Sequence, residues 1–155
     1  MAGRKDRKGR PGLIRSFIFR IKEKGKSDPA RIRRDDELFQ RMERIIAARG
    51  LYRRKNLSLA ILVREVGTNR TYISAALARK GLNFASYIGS FRVQRVLQLL
   101  ADPACSNMDA GEIAELCGFM SDRTMNYYLN ATLGLSFSTI RRRTALMMDN
   151  NIPIK

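Results

Sequence analysis

Residues 57–84 read LSLAILVREVGTNRTYISAALARKGLNF, and this stretch contains the pattern that decides the fold. It predicts a short apolar helix, then a glycine (Gly67), a polar helix cap (Asn69) and a second helix. Ile73 and Leu77 place apolar side chains on one face of that second helix. Glycine suits the turn because it adopts a left-handed conformation without steric penalty. The pattern therefore predicts a helix–turn–helix unit.

The same pattern occurs again in residues 108–137, MDAGEIAELCGFMSDRTMNYYLNATLGLSF. Ile73 corresponds to Met125 and Leu77 to Leu129, and both pairs are separated by 52 residues. One such pattern is weak evidence, whereas two copies in register indicate an internal duplication. We therefore predict two helix–turn–helix units, at about residues 58–81 and 109–133.

A long linker helix is predicted between the two units, at about residues 83–101. Asn83 caps its start, and Asp102-Pro103 ends it because the residue before a proline disfavours the helical conformation. A last helix, capped by Ser136, follows the second unit. Its apolar residues are expected to pack against the domain: Ile140, Leu146 and Met147.

Residues 1–34 form a basic arm, with thirteen Lys and Arg against three Asp and Glu. Like charges repel one another, so we expect this arm to be mostly disordered. Within it, residues 12–21 (GLIRSFIFRI) place apolar side chains at helical spacing. This segment either docks on the domain or stays disordered, or else it lies on an anionic membrane, which we consider the less favoured alternative. The domain is then expected to begin with a supporting helix that starts at Asp35 or Asp36 and ends at Gly50.

The predicted fold is therefore all-α, with about seven helices over residues 35–148 and a short tail at residues 149–155. Two homeodomain-like helix–turn–helix subdomains are joined by the linker helix. A hydrophobic fraction of 45% is enough for a real core in a chain of 155 residues.

The charge of the chain limits its possible partners. Thirty Lys and Arg against fourteen Asp and Glu give a net charge of +16, which indicates a polyanionic partner, either nucleic acid or an anionic membrane surface. No apolar run is long enough to span a bilayer. The absence of histidine removes the commonest general base and metal ligand, and no glycine-rich phosphate loop is present. We therefore expect neither an enzyme nor a metal or cofactor site. Cys105 and Cys117 lack the spacing of a zinc site and are expected to be reduced, with Cys117 a small buried hydrophobe.

Over about residues 38–143 the chain resembles the AraC/XylS family of bacterial transcription regulators. In the second unit the family's motif matches at Ile113, Ala114, Gly118, Phe119, Ser121, Gly134 and Arg141. In the first unit the matching residues are Leu62, Gly67, Asn69, Tyr72, Ile73 and Ser74. In the linker helix they are Phe84, Tyr87, Ile88, Arg92, Val93 and Leu100.

The chain departs from the family's pattern at several apolar positions. Met125 and Leu129 stand where the family usually has Phe, Phe137 where it has Pro and Ile140 where it has Tyr, while Val63 replaces a small Ala. All of these replacements are apolar, so we expect the packing to survive.

The resemblance implies a regulator that binds double-stranded DNA at specific sequences through two recognition helices in adjacent major-groove segments, about 34 Å apart. It also implies RNA polymerase as a further partner and a bacterial, cytoplasmic protein associated with the nucleoid. No small-molecule sensor domain is expected, because only a basic arm of about 34 residues precedes the helix–turn–helix region.

Motif position supplies candidate contacts. The base-contacting candidates are Arg70, Thr71, Ser74 and Ala75 on the first recognition helix and Asp122, Arg123, Asn126 and Tyr127 on the second. Arg123 and Asn126 are favoured because arginine pairs bidentately with guanine and asparagine with adenine. The phosphate-contacting candidates are Lys80, Arg92, Arg95, Arg141 and Arg142.

Two alternative functions remain open at this point. The first is a sequence-indifferent, architectural nucleic-acid binder, in which the arm and the domain neutralise phosphates. The second is a membrane-surface or protein-interaction module that acts through the basic arm.

Overall fold

The computed structural model describes residues 28–149. The helices in this range are α1 (Pro29–Arg49), α2 (Leu59–Val66), α3 (Arg70–Arg79), α4 (Phe84–Leu100), α5 (Ala110–Leu116), α6 (Asp122–Leu133) and α7 (Phe137–Asp149). Two 3-10 turns accompany them, Leu51–Arg53 and Pro103–Cys105, and no strand occurs between residues 28 and 149. The prediction of an all-α fold with about seven helices is confirmed. The apolar segment at residues 12–21 and the tail from residue 150 lie outside the described residues.

Helix α1 begins earlier than predicted. Its N-cap is Asp28, whose Oδ1 accepts a hydrogen bond from the N–H of Ala30 at 3.1 Å, and Pro29 occupies the first helical position. Aspartate is a favoured N-cap, and proline fits the first turn because its missing N–H would have no helical partner there. The predicted start at Asp35 or Asp36 was therefore wrong. Residues 29–34, which we assigned to the disordered arm, belong to the helix.

The helix starts predicted at Asn69, Asn83 and Ser136 are confirmed, and the other helices after α1 begin at caps of the same kind. Side chains accept a hydrogen bond from the first helical turn at Ser58, Asn69, Asn83, Ser121 and Ser136. Asp109 and Glu112 form a capping box before α5. Gly67, in the turn between the two helices of the first unit, has a φ of 68°, which is the left-handed conformation that the pattern predicted. These local signals fix most of the helix boundaries.

The helices enclose two hydrophobic cores that share α4. Tyr87 and Ile88, in the first half of α4, belong to the core of the first unit, whereas Val93, Val96 and Leu99 belong to the core of the second. The first core is completed mainly by Met42, Ile46, Leu51, Leu62, Val66, Ile73 and Leu77. The second is completed mainly by Ile113, Phe119, Met125, Leu129, Phe137 and Ile140. Each recognition helix is thus anchored in its own core.

The apolar residues that depart from the family pattern pack as expected. A separate prediction, that the second half of α7 packs, is not met. Met125, Leu129 and Phe137 are buried, as is Ile140. The prediction that Leu146 and Met147 pack was wrong for the described residues, because their side chains are 57% and 73% exposed. The only buried residues of α7 lie in its first two turns, so its second half extends past the core.

Candidate nucleic-acid interface

The second helix of each unit, α3 or α6, presents an exposed outer face. Its inner face is buried in the core through Ile73 and Leu77 in α3, and through Met125 and Leu129 in α6. None of the predicted base-contacting residues belongs to these buried sets. Those that are exposed are Arg70, Thr71, Ser74, Asp122, Arg123 and Tyr127, and those that are half-buried are Ala75 and Asn126. The structure therefore makes most of the predicted set accessible to a ligand.

Two arginines in the first turns of these helices are free within the described part of the chain. Arg70 directly follows the Asn69 cap of α3, and Arg123 is the second residue of α6. The backbone N–H of Arg123 donates to Oδ1 of Asp122 at 2.8 Å, whereas no residue from 28 to 149 bonds the guanidinium of either arginine. Each guanidinium can therefore pair with a base edge or a phosphate, and the positive end of the helix dipole adds to its attraction for an anion.

Tyr127 is the largest exposed side chain of the second recognition helix. It is 59% exposed, and its ring meets that of Tyr128 edge to face, with centroids 5.4 Å apart. Tyr128 in turn lies against the buried Phe119, with centroids 5.7 Å apart. The pair thus connects an exposed ring to the second core. A ring fixed in this way presents both an apolar face and a hydroxyl at little entropic cost.

Asn126 makes contacts that its predicted role did not include. Its Nδ2 donates to the backbone oxygen of Asp122 at 3.2 Å, and its Oδ1 accepts a hydrogen bond from the N–H of Phe137 at 2.9 Å. Phe137 is the first residue of α7, so this amide caps one helix from the side of another. An asparagine that reads adenine must present both its donor and its acceptor, and here both have protein partners.

The predicted phosphate contacts fall into two groups. Arg142 is exposed, and Arg95 bonds only Oε1 of Gln98, at 3.3 Å, among the described residues. Lys80 is exposed but lies 2.9 Å from Oδ1 of Asp36. A hydrogen bond from Lys80 is the main cause that lowers the pKa of the Asp36 carboxyl, so this lysine already has an anionic partner.

Arg141 and Arg92 are bound within the protein. Arg141 donates to the backbone oxygen of Met108, and its guanidinium lies 4.9 Å from the ring centroid of Phe137. Arg92 is half-buried and donates to two backbone carbonyl groups. Burial lowers the pKa of the Arg92 guanidinium, because loss of water disfavours its charged form. Among the described residues, the phosphate-binding candidates with neither an acidic nor a backbone partner are therefore Arg95 and Arg142.

Sequence reasoning missed a set of basic residues on α1 beside the first recognition helix. The guanidinium carbon of Arg34 lies 5.5 Å from the ring centroid of Tyr72, which is the third residue of α3. Arg34, Arg41 and Arg44 line an open cleft of about 460 Å³ next to Thr68. Arg34 was hidden because the sequence placed it in the arm. The Asp28-Pro29 cap signal, which precedes it by one and a half turns of helix, would have revealed it.

The acidic residues and cysteines of the described part of the chain are not grouped as metal ligands. No group of three metal-ligating side chains occurs between residues 28 and 149. Both cysteines are free, and burial raises the pKa of the Cys117 thiol to about 11. Cys117 is therefore a buried apolar residue at neutral pH rather than a thiolate, as its sequence position suggested. None of the described helices has the length and hydropathy required to cross a bilayer.

Comparison with known proteins places this geometry in a family. The model of a helix-turn-helix domain family matches residues 62–143, which is more than half of the chain and includes both recognition helices and α4. The search of curated proteins finds no match.

Two solved structures have the same fold. One is the DNA-binding domain of AdpA, described as the global transcriptional factor, in complex with a target DNA. It is 17% identical, with a TM-score of 0.56, and the match covers 76% of this chain and 98% of that one. The other is a DNA-binding transcriptional dual regulator from Escherichia coli K-12, 16% identical with a TM-score of 0.53, and the match covers 80% of this chain and 99% of that one. At identities this low, the two structural matches show a shared fold only. Membership of the family is shown by the match to the family model. The chain belongs to the AraC-type helix-turn-helix family, whose members are DNA-binding transcription regulators and not enzymes.

Proposed function

We propose that this protein binds duplex DNA at specific sequences by inserting α3 and α6 into adjacent segments of the major groove. One observation carries the proposal: each recognition helix is anchored in a core of its own and holds a free arginine, Arg70 or Arg123, in its exposed first turn. In helix–turn–helix proteins the N-terminal part of the second helix contacts the base edges.

The dimensions of α4 support the use of both units on one DNA molecule. Its 17 residues span about 25 Å at the usual rise of an α-helix, and the two cores lie along its length. Successive major-groove segments on one face of DNA lie about 34 Å apart. A monomer that carries one recognition helix beside each half of α4 can read two half-sites, a task that usually requires a dimer.

The residues then divide by role. Arg70 and Arg123 are the principal readers, for which guanine is the preferred base because its two acceptors match the guanidinium. Thr71, Ser74 and Ala75 are short and provide single hydrogen bonds or contacts with a thymine methyl group. The DNA backbone is contacted by Arg95 and Arg142. Lys80 also contacts it, with the DNA phosphate in competition with Asp36 for its ammonium group. Arg92, Asn126 and Arg141 support the interface from within the protein.

Regulation of transcription follows from binding near promoters, with RNA polymerase as the partner on the same DNA. This role places the protein in the bacterial cytoplasm, at the nucleoid. The two structural neighbours, a global transcriptional factor and a transcriptional dual regulator, support this assignment through their shared fold.

The test is selection of bound duplexes from a random pool at about physiological salt, where non-specific binding is weak. We expect two short half-sites about one helical turn apart. Recovery of a single half-site would contradict the use of both recognition helices. Tight binding without enrichment of any sequence would overturn the proposal in favour of an architectural DNA binder.

Replacement of a single arginine tests the role of the second recognition helix. Arg123→Ala should weaken binding to the selected site by about 1–3 kcal/mol and relax the preference at one base position, because a base contact is lost. Arg142→Ala is the matched control, since it removes an exposed arginine proposed to contact phosphate. It should weaken binding to all sequences alike and reduce the salt slope by about 1. Competition titrations against site variants measure both effects, and an equal loss on all sequences for Arg123→Ala would refute its reading role.

A further inference from the structure

The side chain of Arg92, in the middle of α4, is bound to the connection that leads from α1 into the first unit. Its Nε donates to the backbone oxygen of Tyr52 at 2.7 Å, and an Nη donates to that of Arg54 at 2.9 Å. The connection is itself part of the first unit, because Leu51 is fully buried in the first core. Tyr52 also stacks on Phe91 of α4, with centroids 6.0 Å apart.

The same guanidinium contacts the second unit. Its carbon lies 5.8 Å from the ring centroid of Phe119, which follows the turn glycine and is buried in the second core. A guanidinium over an aromatic face gains electrostatic attraction, and the gain rises as water is excluded. Arg92 therefore joins a backbone segment of one unit to a core residue of the other.

The turn of the second unit meets the same connection directly. A Cβ atom on Gly118 would lie 2.8 Å from Cα of Arg53 and closer still to the carbonyl oxygen of Tyr52. Glycine is thus required at this position for the contact as well as for its φ of 84°. Beside it, Lys55 and Glu115 form an ion pair of 3.1 Å between the two units.

A third contact holds the second recognition helix against the first half of α4. A Cβ atom on Gly89 would lie 2.5 Å from Cδ1 of Tyr128, so the ring occupies the space where a side chain would be. Gly89 is flanked in α4 by Ile88, a residue of the first core. Tyr128 belongs to α6, and its neighbour Tyr127 lies on the outer face.

We propose that Arg92, supported by these contacts, is a positioning residue that fixes the two recognition helices at one separation and one relative rotation, so that the protein selects its targets by the spacing between half-sites. This inference rests on the proposed function. Insertion of one base pair moves a half-site by about 3.4 Å and rotates it by about 35° around the DNA axis. Two units locked together cannot follow that movement, whereas two units joined only by a single helix can adjust.

The experiment uses the full chain and a series of duplexes in which the two selected half-sites are moved apart or together by one, two or three base pairs. The wild-type protein should lose about tenfold in affinity for a change of one base pair. Arg92→Ala should bind the optimal spacing more weakly and the altered spacings almost as well as the optimal one. Its affinity for a duplex with one half-site should stay within about threefold of the wild type, since no base contact has changed.

Arg95→Ala is the matched control, because it removes a guanidinium one turn further along α4 that bonds only Gln98 among the described residues. It should lower the affinity for all spacings equally and leave the spacing profile of the wild type intact. If Arg92 were instead a phosphate contact, its replacement would give this same uniform loss. An unchanged spacing profile in Arg92→Ala would therefore overturn the proposal.

Two further variants keep the test decisive if Arg92→Ala does not fold, which circular dichroism would reveal. Arg92→Lys keeps the charge but cannot span both carbonyl groups, so it should show an intermediate spacing profile. Gly89→Ala favours the helix yet displaces Tyr128, so it should relax or shift the preferred spacing. Wild-type profiles in both variants would overturn the inference. If the wild-type protein tolerated every spacing, the inference would also be overturned, but the proposed function would stand. If the wild-type protein had no sequence preference, the proposed function itself would be refuted.

Discussion

Asn126 lies on the boundary between the second recognition helix and α7, and its amide is fully engaged there. The N–H groups in the first turn of a helix have no partner within the helix and need one from elsewhere. Ser136 supplies one acceptor, to Thr139, and Asn126 supplies another, to Phe137. The residue thus links the orientation of α6 to the helix that follows it.

Substitution of Asn126 separates capping from base reading. Asn126→Ala should lower the free energy of unfolding by about 1–2 kcal/mol, because the half-buried N–H of Phe137 loses its acceptor. Asn126→Asp keeps that acceptor near a helix N-terminus, where a negative charge is favourable, so it should retain most of the stability. Urea denaturation of the three proteins measures the difference.

The Asn126→Asp variant also tests the alternative role of Asn126, the reading of adenine. An aspartate cannot donate to N7 of adenine, so a reading role would show as a lost preference for adenine at one position of the selected site. A capping role predicts the same preferred sequence for Asn126→Asp as for the wild type. Reduced discrimination at one adenine, with unchanged stability in Asn126→Ala, would contradict the capping role.

Motif position could not identify this role, because the partner of Asn126 lies 11 residues further along the chain. The corresponding residue of the first unit, Ser74, is exposed and has no such partner among the described residues. The duplication therefore preserves the helices but not the contacts at equivalent positions. By contrast the caps at Ser58, Asn69 and Asn83 were predictable, since each bonds a backbone group three residues away.

At the scale of elements, α1 differs most from the sequence prediction. Basic residues on both sides of its first turn suggested a continuous disordered arm, and this charge pattern obscured the Asp28-Pro29 start signal. The start of α1 determines the N-terminal boundary of the domain. Asp35 is only 4% exposed, and Arg79 of α3 lies beside it with an Nε to Oδ2 distance of 4.0 Å. These residues connect α1 to the first recognition helix. Asp35 therefore lies well inside α1 rather than at its beginning.

Truncation at two points tests the boundary. Removal of residues 1–27 leaves the Asp28 cap, so the free energy of unfolding should stay within about 0.5 kcal/mol of the full chain. Removal of residues 1–34 also deletes the cap and the first turn, and it should cost about 1 kcal/mol or more. Thermal melts monitored by circular dichroism compare the two proteins. Asp28→Ala in the full chain isolates the contribution of the cap, and equal stability of both truncated proteins would contradict a helix start at Pro29.

At the scale of the whole molecule, the arrangement of the two units depends on contacts that no local pattern reveals. Arg92 bonds residues 40 and 38 positions before it, and Lys55 pairs with a residue 60 positions after it. Periodicity predicted each unit and the linker helix because these rest on short-range spacing. The duplication predicted that there are two units but carried no information about their relative orientation. A charged residue at a position such as Arg92 was therefore assigned to DNA, although its partners are backbone carbonyl groups.

Charge is also distributed unevenly over the molecule. Residues 1–27 contain ten Lys and Arg against two Asp and Glu, whereas residues 28–149 contain nineteen against twelve. Several cations of the second region are paired within the protein, as in the ion pairs of Lys80 with Asp36 and of Arg49 with Glu65. The hydrogen bond from Arg49 is the main cause that lowers the pKa of the Glu65 carboxyl, so this pair remains charged at neutral pH. The net charge is thus +8 over the 27 residues of 1–27 and +7 over the 122 residues of 28–149, so the positive charge is densest in the arm.

The arm should therefore dominate the salt dependence of binding, while the two recognition helices determine the sequence. Each phosphate that a cation neutralises contributes about −0.9 to the slope of log K against log salt concentration. Removal of residues 1–27 should make that slope clearly shallower and leave the order of preference among selected sites unchanged. Titrations of the full and truncated chains from low to physiological salt, on the selected site and on a scrambled duplex, measure both quantities. An unchanged slope would mean that the arm does not lie on DNA, and a lost preference would mean that it reads bases.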